Sequence, residues 1–465
     1  MLMTSSPFGD DGSAEVNWLW GMAFSALQDL RTEYGFNASD AAGLYPALFG
    51  RDSLWILLML LEARRLHRAP EFGAWVEKAG EDVLRALCST QSDHTDDTVD
   101  AQPGRIIHEV QLRPTPHSKR SGMRYDDLGR LFSGFDQTFL FITAFRRFAD
   151  AFPENPISEQ GWPNVTRAIH WIERFADEDG DGLFEYSRRD PHNLLNQTWK
   201  DSFDSVSHAG IAPPPPPLAW IDVQGYAYQA LGDAADLCAQ HGDDDRARSL
   251  AAWAQNLKRD VDLHYWIEDA QCYAMALDRA KRAVRVVSSN PGHALWAGLV
   301  EEHRAAPLAE RLLQHDMLTT YGVRTLSSGS VLYAPFAYHR GTIWPFDNAV
   351  LVAGLLRYGF AEAAEKVMEA VVRAIRLIRT PIELYTVIDS NLLVDAPRTR
   401  EQFLMHRRYP PENQVQGFSA AGLLLFAALL PPTRTATITG KNILLINRRG
   451  QRPSCFRLSI LSCRW

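Results

Sequence analysis

Apolar residues recur along this chain at three- and four-residue steps, the spacing that gathers them on one face of an α-helix. The pattern predicts helices over Glu15–Tyr34, Asp52–His67, Glu71–Cys88, Asp136–Ala151, Val165–Phe175 and Asp222–Gln240. It continues over Asp245–Tyr265, Pro291–His303, Pro307–Gln314, Phe346–Tyr358, Ala361–Arg379 and Val415–Leu430. The stretch "GDDDRARSLAAWAQNLKRDV" is typical: acidic residues open it, where a helix end is positive, and an apolar stripe follows. Asp52–His67 is apolar nearly all round, which suits a helix buried on both sides.

The connections alternate. Short polar turns such as "HGDDD" and "RYGFA" trade places with long loops rich in aromatics, histidines, carboxylates and amides. That alternation predicts helical hairpins arranged in a ring with function on one rim, an all-α (α/α)6 toroid occupying residues 1–432. No strict repeat is present, which argues against a solenoid. Residues 433–465, "ATITGKNILLINRRGQRPSCFRLSILSCRW" for the most part, are basic and lack acids, and read as a tail with short β segments or little order.

Composition narrows the partners. Of 465 residues, 46% are apolar and 22% charged, with a formal net charge of -8. The acidic balance argues against nucleic acid or an anionic membrane and suits a neutral ligand. The five cysteines form no CxxC pair, so no zinc site is indicated and no cofactor is expected. No Lys or Arg precedes Arg31, and "LWILLMLL" is too short to span a bilayer, so a cytoplasmic protein is expected. Oligomeric state is left open. The 13 tryptophans exceed what a core needs, and some suit the flat C–H face of a sugar ring.

The decorated loops hold the candidate chemistry. "DEDGDG" begins like a calcium loop, but its twelfth position is Arg188 where a bidentate Glu belongs, so it reads as an acidic turn with no metal. "GRDS" sets Arg51 and Asp52 at a helix start, and "IIHEVQ" and "GFDQT" offer further polar groups. "SSNPGHALWAGL" places His293 and Trp296 near one another on a helix face. "YHRGTIWPFDNA" gathers His339, Trp344 and Asp347 around another helix start.

"NQTWKDSFDS" is the densest of these, with Trp199, Lys200, Asp201 and Asp204 in an irregular segment. A solvated loop does not need the aromatic, and a core does not tolerate the carboxylates. A pocket rim suits both, because an apolar wall raises a carboxyl pKa and keeps it protonated as a general acid. A second carboxylate is needed for glycoside hydrolysis with inversion, and Glu383 in "PIELYTV" and Glu412 in "PPENQVQGF" are the candidates. Phosphate loops, dinucleotide fingerprints and G-x-S-x-G elbows are missing.

The ordered series "LFGRDSLW", "IIHEVQ", "DGDGLFEY", "LNQTWKDSFDS", "VQGYAYQA", "SSNPGHALWAGL", "YGVRTLSSG" and "YHRGTIWPFDNA" resembles the catalytic domain of bacterial amylo-α-1,6-glucosidase-type glycogen debranching enzymes. The resemblance implies an (α/α)6 glucoamylase-like glycosidase that releases glucose from α-1,6 branches of glycogen-like or dextrin chains with inversion. It implies Asp201 as general acid and Glu383 as general base. Arg51, Asp52, His339, Trp344 and Asp347 would then hold the terminal sugar, with Trp199 and Trp296 stacking and Lys200, Asp204 and His293 in the same site. The family's β-rich domain ahead of the toroid has no counterpart in this sequence. An α-glucosidase for a disaccharide or glucosylglycerate is therefore the alternative, with a sugar isomerase and a catalytically weak binding relative behind it.

Overall fold

The protein is described by a computed structural model covering residues 14–67, 69–111, 122–208, 212–389, 402–406, 413–430 and 443–445. Glu412 and nearly all of the 433–465 tail lie outside these residues. Twelve helices of eight residues or more occur among them. They are α1 (Ala14–Leu30), α2 (Gly50–Leu66), α3 (Pro70–Thr90), α4 (Gln137–Ala151), α5 (Trp162–Phe175) and α6 (Ile221–Gln240). They continue as α7 (Asp244–Tyr265), α8 (Asn290–Ala297), α9 (Glu302–Leu312), α10 (Pro345–Arg357), α11 (Ala361–Ile378) and α12 (Gly417–Leu429).

The even-numbered helices form a closed circuit. Helix α2 packs on α4, α4 on α6, α6 on α8, α8 on α10, α10 on α12, and α12 returns to α2. The odd-numbered helices back this circuit: α1 lies on α12, α3 on α2, α5 on α4, α7 on α6 and α11 on α10. Burial follows position. In α7 only a stripe is buried, Ala247, Leu250, Ala254, Leu257, Val261 and Tyr265, at the spacing of a one-faced helix. In α12 every residue from Gly417 to Ala427 is buried. Hydrophobicity all round is thus the mark of the inner ring, as Asp52–His67 predicted.

Three boundaries differ by four residues or more from the sequence pattern. Helix α1 stops at Leu30, because the chain turns into a two-stranded ladder of 31–32 with 35–36. The predicted Pro291–His303 helix ends at Ala297, where Gly298 takes φ 79° and closes α8 in the left-handed region. Helix α9 then starts at Glu302 and carries Pro307 inside it rather than starting there.

Short strands decorate one mouth of the ring. β1 (Leu48–Phe49), β2 (Glu109–Val110) and β3 (Arg130–Leu131) pair antiparallel. β4 (Thr386–Asp389) pairs antiparallel with β5 (Gln402–His406), which pairs in parallel with β6 (Ile443–Leu445), the described part of the tail. Among the described residues no helix is long and apolar enough to cross a membrane.

Candidate active site at the helix N-termini

The starts of the inner helices meet at this mouth. At none of the six does a side chain cap the first N–H groups: the residues before them are Phe49, Asp136, Trp220, Ser289, Trp344 and Gln416. Each open start carries partial positive charge, which favours carboxylates nearby. Asp52, Asp222 and Asp347 stand in the first turns of α2, α6 and α10 and supply them.

Arg51 organises one wall. Gly50 lets its helix begin against the neighbouring chain, since a Cβ there would fall 2.2 Å from the Ile107 carbonyl oxygen. From that start Arg51 donates through Nε to Asp136 Oδ2 at 2.7 Å and through Nη1 to Asp201 Oδ2 at 3.2 Å. Burial works against its charge, but Asp136 and Asp201 prevail and hold its pKa above the ordinary arginine value. Asp201 is the open member, with 28% of its side chain exposed. Burial pushes its carboxyl up to about 6, against the pull of Arg51. Asp52 accepts from Gln416 Nε2 at 3.0 Å, and burial raises it to about 7.

Glu383 forms the opposite wall, in the segment leading into β4. The Tyr338 hydroxyl donates to its Oε1 and Asn413 Nδ2 donates to its Oε2 at 2.7 Å. Tyr45 hydrogen-bonds Tyr338 from the loop before β1. Burial pushes Glu383 up to about 8, the two donors oppose this, and the Asp52 and Asp201 carboxylates add to it. On β2, Glu109 takes hydrogen bonds from Tyr125 and Gln111 and is raised by burial to about 7, with Asp201 again contributing. Four carboxyl groups, Asp52, Glu109, Asp201 and Glu383, therefore titrate around one cleft near neutral pH.

Beneath Asp201 the remaining candidates separate into floor and foundation. His339 stacks on Trp344, takes the Ser202 hydroxyl at 2.9 Å through Nδ1, and is kept neutral by burial, which drives its pKa well below the usual value. Its Nε2 is buried without a protein partner. Trp199 lies over His293 with ring centroids 5.3 Å apart and planes 16° from parallel. Lys200 points away from the cleft, donating to the Thr325 carbonyl at 2.6 Å, and burial lowers it to about 8. His293 is fully buried between Tyr226 (2.6 Å) and Asp347 (2.9 Å). Asp204 pairs with Arg340 at 3.0 Å on the rim.

This placement corrects part of the expected binding set. His293 and Lys200 support the Trp199 floor from below, each spent on protein partners, and Asp347 holds His293 through Oδ1 while its Oδ2 is buried without a protein partner. Trp296 is not at this mouth: it lies on Trp55 (4.7 Å) under the Arg147 guanidinium, farther along α8. Sequence reasoning missed Tyr45, Asn413 and Gln416. Their signal was position, since all three stand in the loops that enter inner helices. In the "DEDGDG" turn, the Lys281 ammonium sits 3.0, 2.7 and 2.7 Å from Asp179, Asp181 and Glu185, filling the place of a cation.

Residues 73–382 match the family model of the mannosylglycerate hydrolase MGH1-like glycoside hydrolase domain, a span of 310 of the 465 residues. The GH63 mannosylglycerate hydrolase from Thermus thermophilus, in complex with Tris and D-glycerate, superposes with TM-score 0.60 at 16% identity, over 89% of this chain and 100% of that one. The same enzyme in complex with glucose gives 0.60 at 18%, over 88% and 99%. A GH78 rhamnosidase of Bacillus sp. GL1 gives 0.57 at 16%, over 91% of this chain and 36% of that one. At such identities the likeness is one of fold. Among curated proteins none matches the sequence. Together these findings support a six-hairpin glycosidase, and not an amylo-α-1,6-glucosidase in particular.

Proposed function

The chain belongs to the mannosylglycerate hydrolase MGH1-like glycoside hydrolase family, and from that premise we propose that it hydrolyses a small α-hexoside with inversion. The substrate class is an α-linked hexose on an aglycone of glycerate size rather than a branch on a glucan chain. The closed helix circuit supports an (α/α)6 toroid as its scaffold. The observation that carries the reading is Glu383, held by Tyr338 and Asn413 and facing the cleft that also holds Asp201.

In this mechanism Asp201 gives its proton to the glycosidic oxygen while Glu383 takes one from water. The hydroxide so formed attacks the anomeric carbon from the face opposite the departing alcohol. Both Glu383 oxygens accept hydrogen bonds, which aims the carboxylate and favours its charged form. In this reading His339 Nε2, which has no protein partner, holds the sugar together with Trp344 and Arg51. The rim supports a short aglycone: Asp204–Arg340 ties the loop of the acid to the facing loop beside Asp201, narrowing the exit a polymer would need.

Sugar release from α-mannosylglycerate and α-glucosylglycerate, measured beside isomaltose, panose and a branched dextrin, tests the proposal. Turnover of a glycosylglycerate at least ~10²-fold above the dextrin is expected. Preference for the dextrin would restore the debranching reading, and no sugar release from any of them would leave a binding protein.

A further inference from the structure

The inner ring has a second mouth, at the helix C-termini, and it holds a cavity of about 390 Å³. That volume falls within the range of small-molecule sites. Its floor is Trp55 and Trp296, both buried, and its walls include Leu58, Met59 and Leu425. Its polar groups are Glu62, Arg65, Arg147 and Arg357.

The charges there do not balance. Arg65 engages Glu62 through two bonds, at 2.9 and 2.6 Å, so these two cancel. Arg357 donates to the Gln229 side chain and to the Trp296 carbonyl, neither of them an anion. Arg147, half-buried on α4, lies 5.0 Å over the Trp296 ring, and among the described residues no carboxylate comes within ion-pair distance of it. Asp233 and, more weakly, Glu62 are the counter-charges acting on it, and Gln229 holds the Asp233 carboxylate with two bonds of 3.1 Å. Burial, with the nearby Arg357 cation, outweighs Asp233 and Glu62 and depresses the arginine's pKa.

Part of this is structural. Arginines beside helix C-termini answer the exposed carbonyls there, and Arg357 does so for α8. Arg147 stands four residues before the end of α4, and the carboxylates that act on it, Asp233 and Glu62, do so without an ion pair, which leaves a desolvated cation poorly compensated. The cation stacked on tryptophan, with an apolar chamber in front of it, is a matched pair of surfaces for an amphiphilic anion.

We propose that this cavity binds a small organic anion with an apolar body, a monocarboxylate or sulfonate, its head on Arg147 and its body on Trp55 and Trp296.

8-Anilinonaphthalene-1-sulfonate tests this by fluorescence titration of the full chain. Saturable binding is expected, with emission sensitised by the floor tryptophans. Arg147→Met, which keeps the stem and removes the charge, should weaken binding at least ~10-fold, and Arg147→Lys should stay within ~3-fold. Ala353→Trp, which puts a bulky ring where Ala353 lines the cavity from α10, should abolish it. Should the Arg147 variants fail to fold, the parent chain still decides: octanoate should displace the dye where 1-octanol at equal concentration does not. Equal displacement by both, unchanged affinity in Arg147→Met, or no saturable binding in the parent overturns the proposal. The last result accompanied by dimers in sedimentation would assign the mouth to a second copy instead.

Discussion

Arg51 Nη1 lies 3.2 Å from Asp201 Oδ2 while its Nε grips Asp136 at 2.7 Å, so a cation that should keep Asp201 ionised stands beside the proposed acid. Burial outweighs it and leaves Asp201 raised. Asp201→Asn keeps the acceptor for Arg51 and loses the proton. Turnover of a glycosylglycerate should fall at least ~10²-fold with an unchanged melting temperature, the scale of losing general acid catalysis. An α-glycosyl fluoride, whose leaving group needs no proton, should lose far less. Activity within a few-fold of the parent on the glycosylglycerate would remove Asp201 from the mechanism.

Glu383→Ala removes the group that activates water. Hydrolysis should be lost, and added azide should restore cleavage by forming the β-glycosyl azide. Glu412→Ala should keep parental rates. If instead Glu412→Ala shows loss and azide recovery while Glu383→Ala turns over normally, the base is Glu412.

Stereochemistry checks the single displacement. NMR in the first minutes of hydrolysis should show the β-hexose before mutarotation supplies the α form. Initial α-hexose would require a covalent intermediate and turn the second carboxylate into a nucleophile.

The pH profile carries the sharpest test of proton placement. With Asp201 near 6 and Glu383 near 8, kcat/KM should be bell-shaped with limbs close to those values. The productive state, proton on Asp201 and none on Glu383, is then a minority of ~1% between the limbs. Tyr338→Phe removes a donor that favours the Glu383 carboxylate, so that pKa should rise. In this reversed order the alkaline limb moves up and the plateau falls. Movement of the acidic limb instead would mean that Glu383 is the lower of the two and ionises first.

Much of this site was legible because inner helices announce themselves twice, by hydrophobicity all round and by a polar, aromatic loop before the first turn. Arg51, Asp52, His339 and Trp344 were singled out in that way, and the structure brings them to one mouth. Trp296 was misread for a geometric reason: sharing a face with His293 fixes direction, not depth. Three residues further along α8 at about 1.5 Å each carries it away from the mouth and toward the other end. Asn413 and Gln416 were overlooked because an amide before a helix looks like an ordinary turn. Their partners, Glu383 and Asp52, are 30 and 364 residues away, and no local pattern encodes such pairings.

The return of α12 onto α2 bears on how the chain comes to be folded. Gln416 meets Asp52 across 364 residues and Asn413 reaches the Leu44 amide across 369, so the ring shuts only when its last helix arrives. During synthesis every earlier hairpin can form locally, yet the apolar flank of α2 has no neighbour on one side until α12 leaves the ribosome. Closure over that span is entropically slow, and the waiting arc is exposed to aggregation. A translational pause or a chaperone acting before α12 emerges would therefore govern the yield of active protein more than any change within a single hairpin.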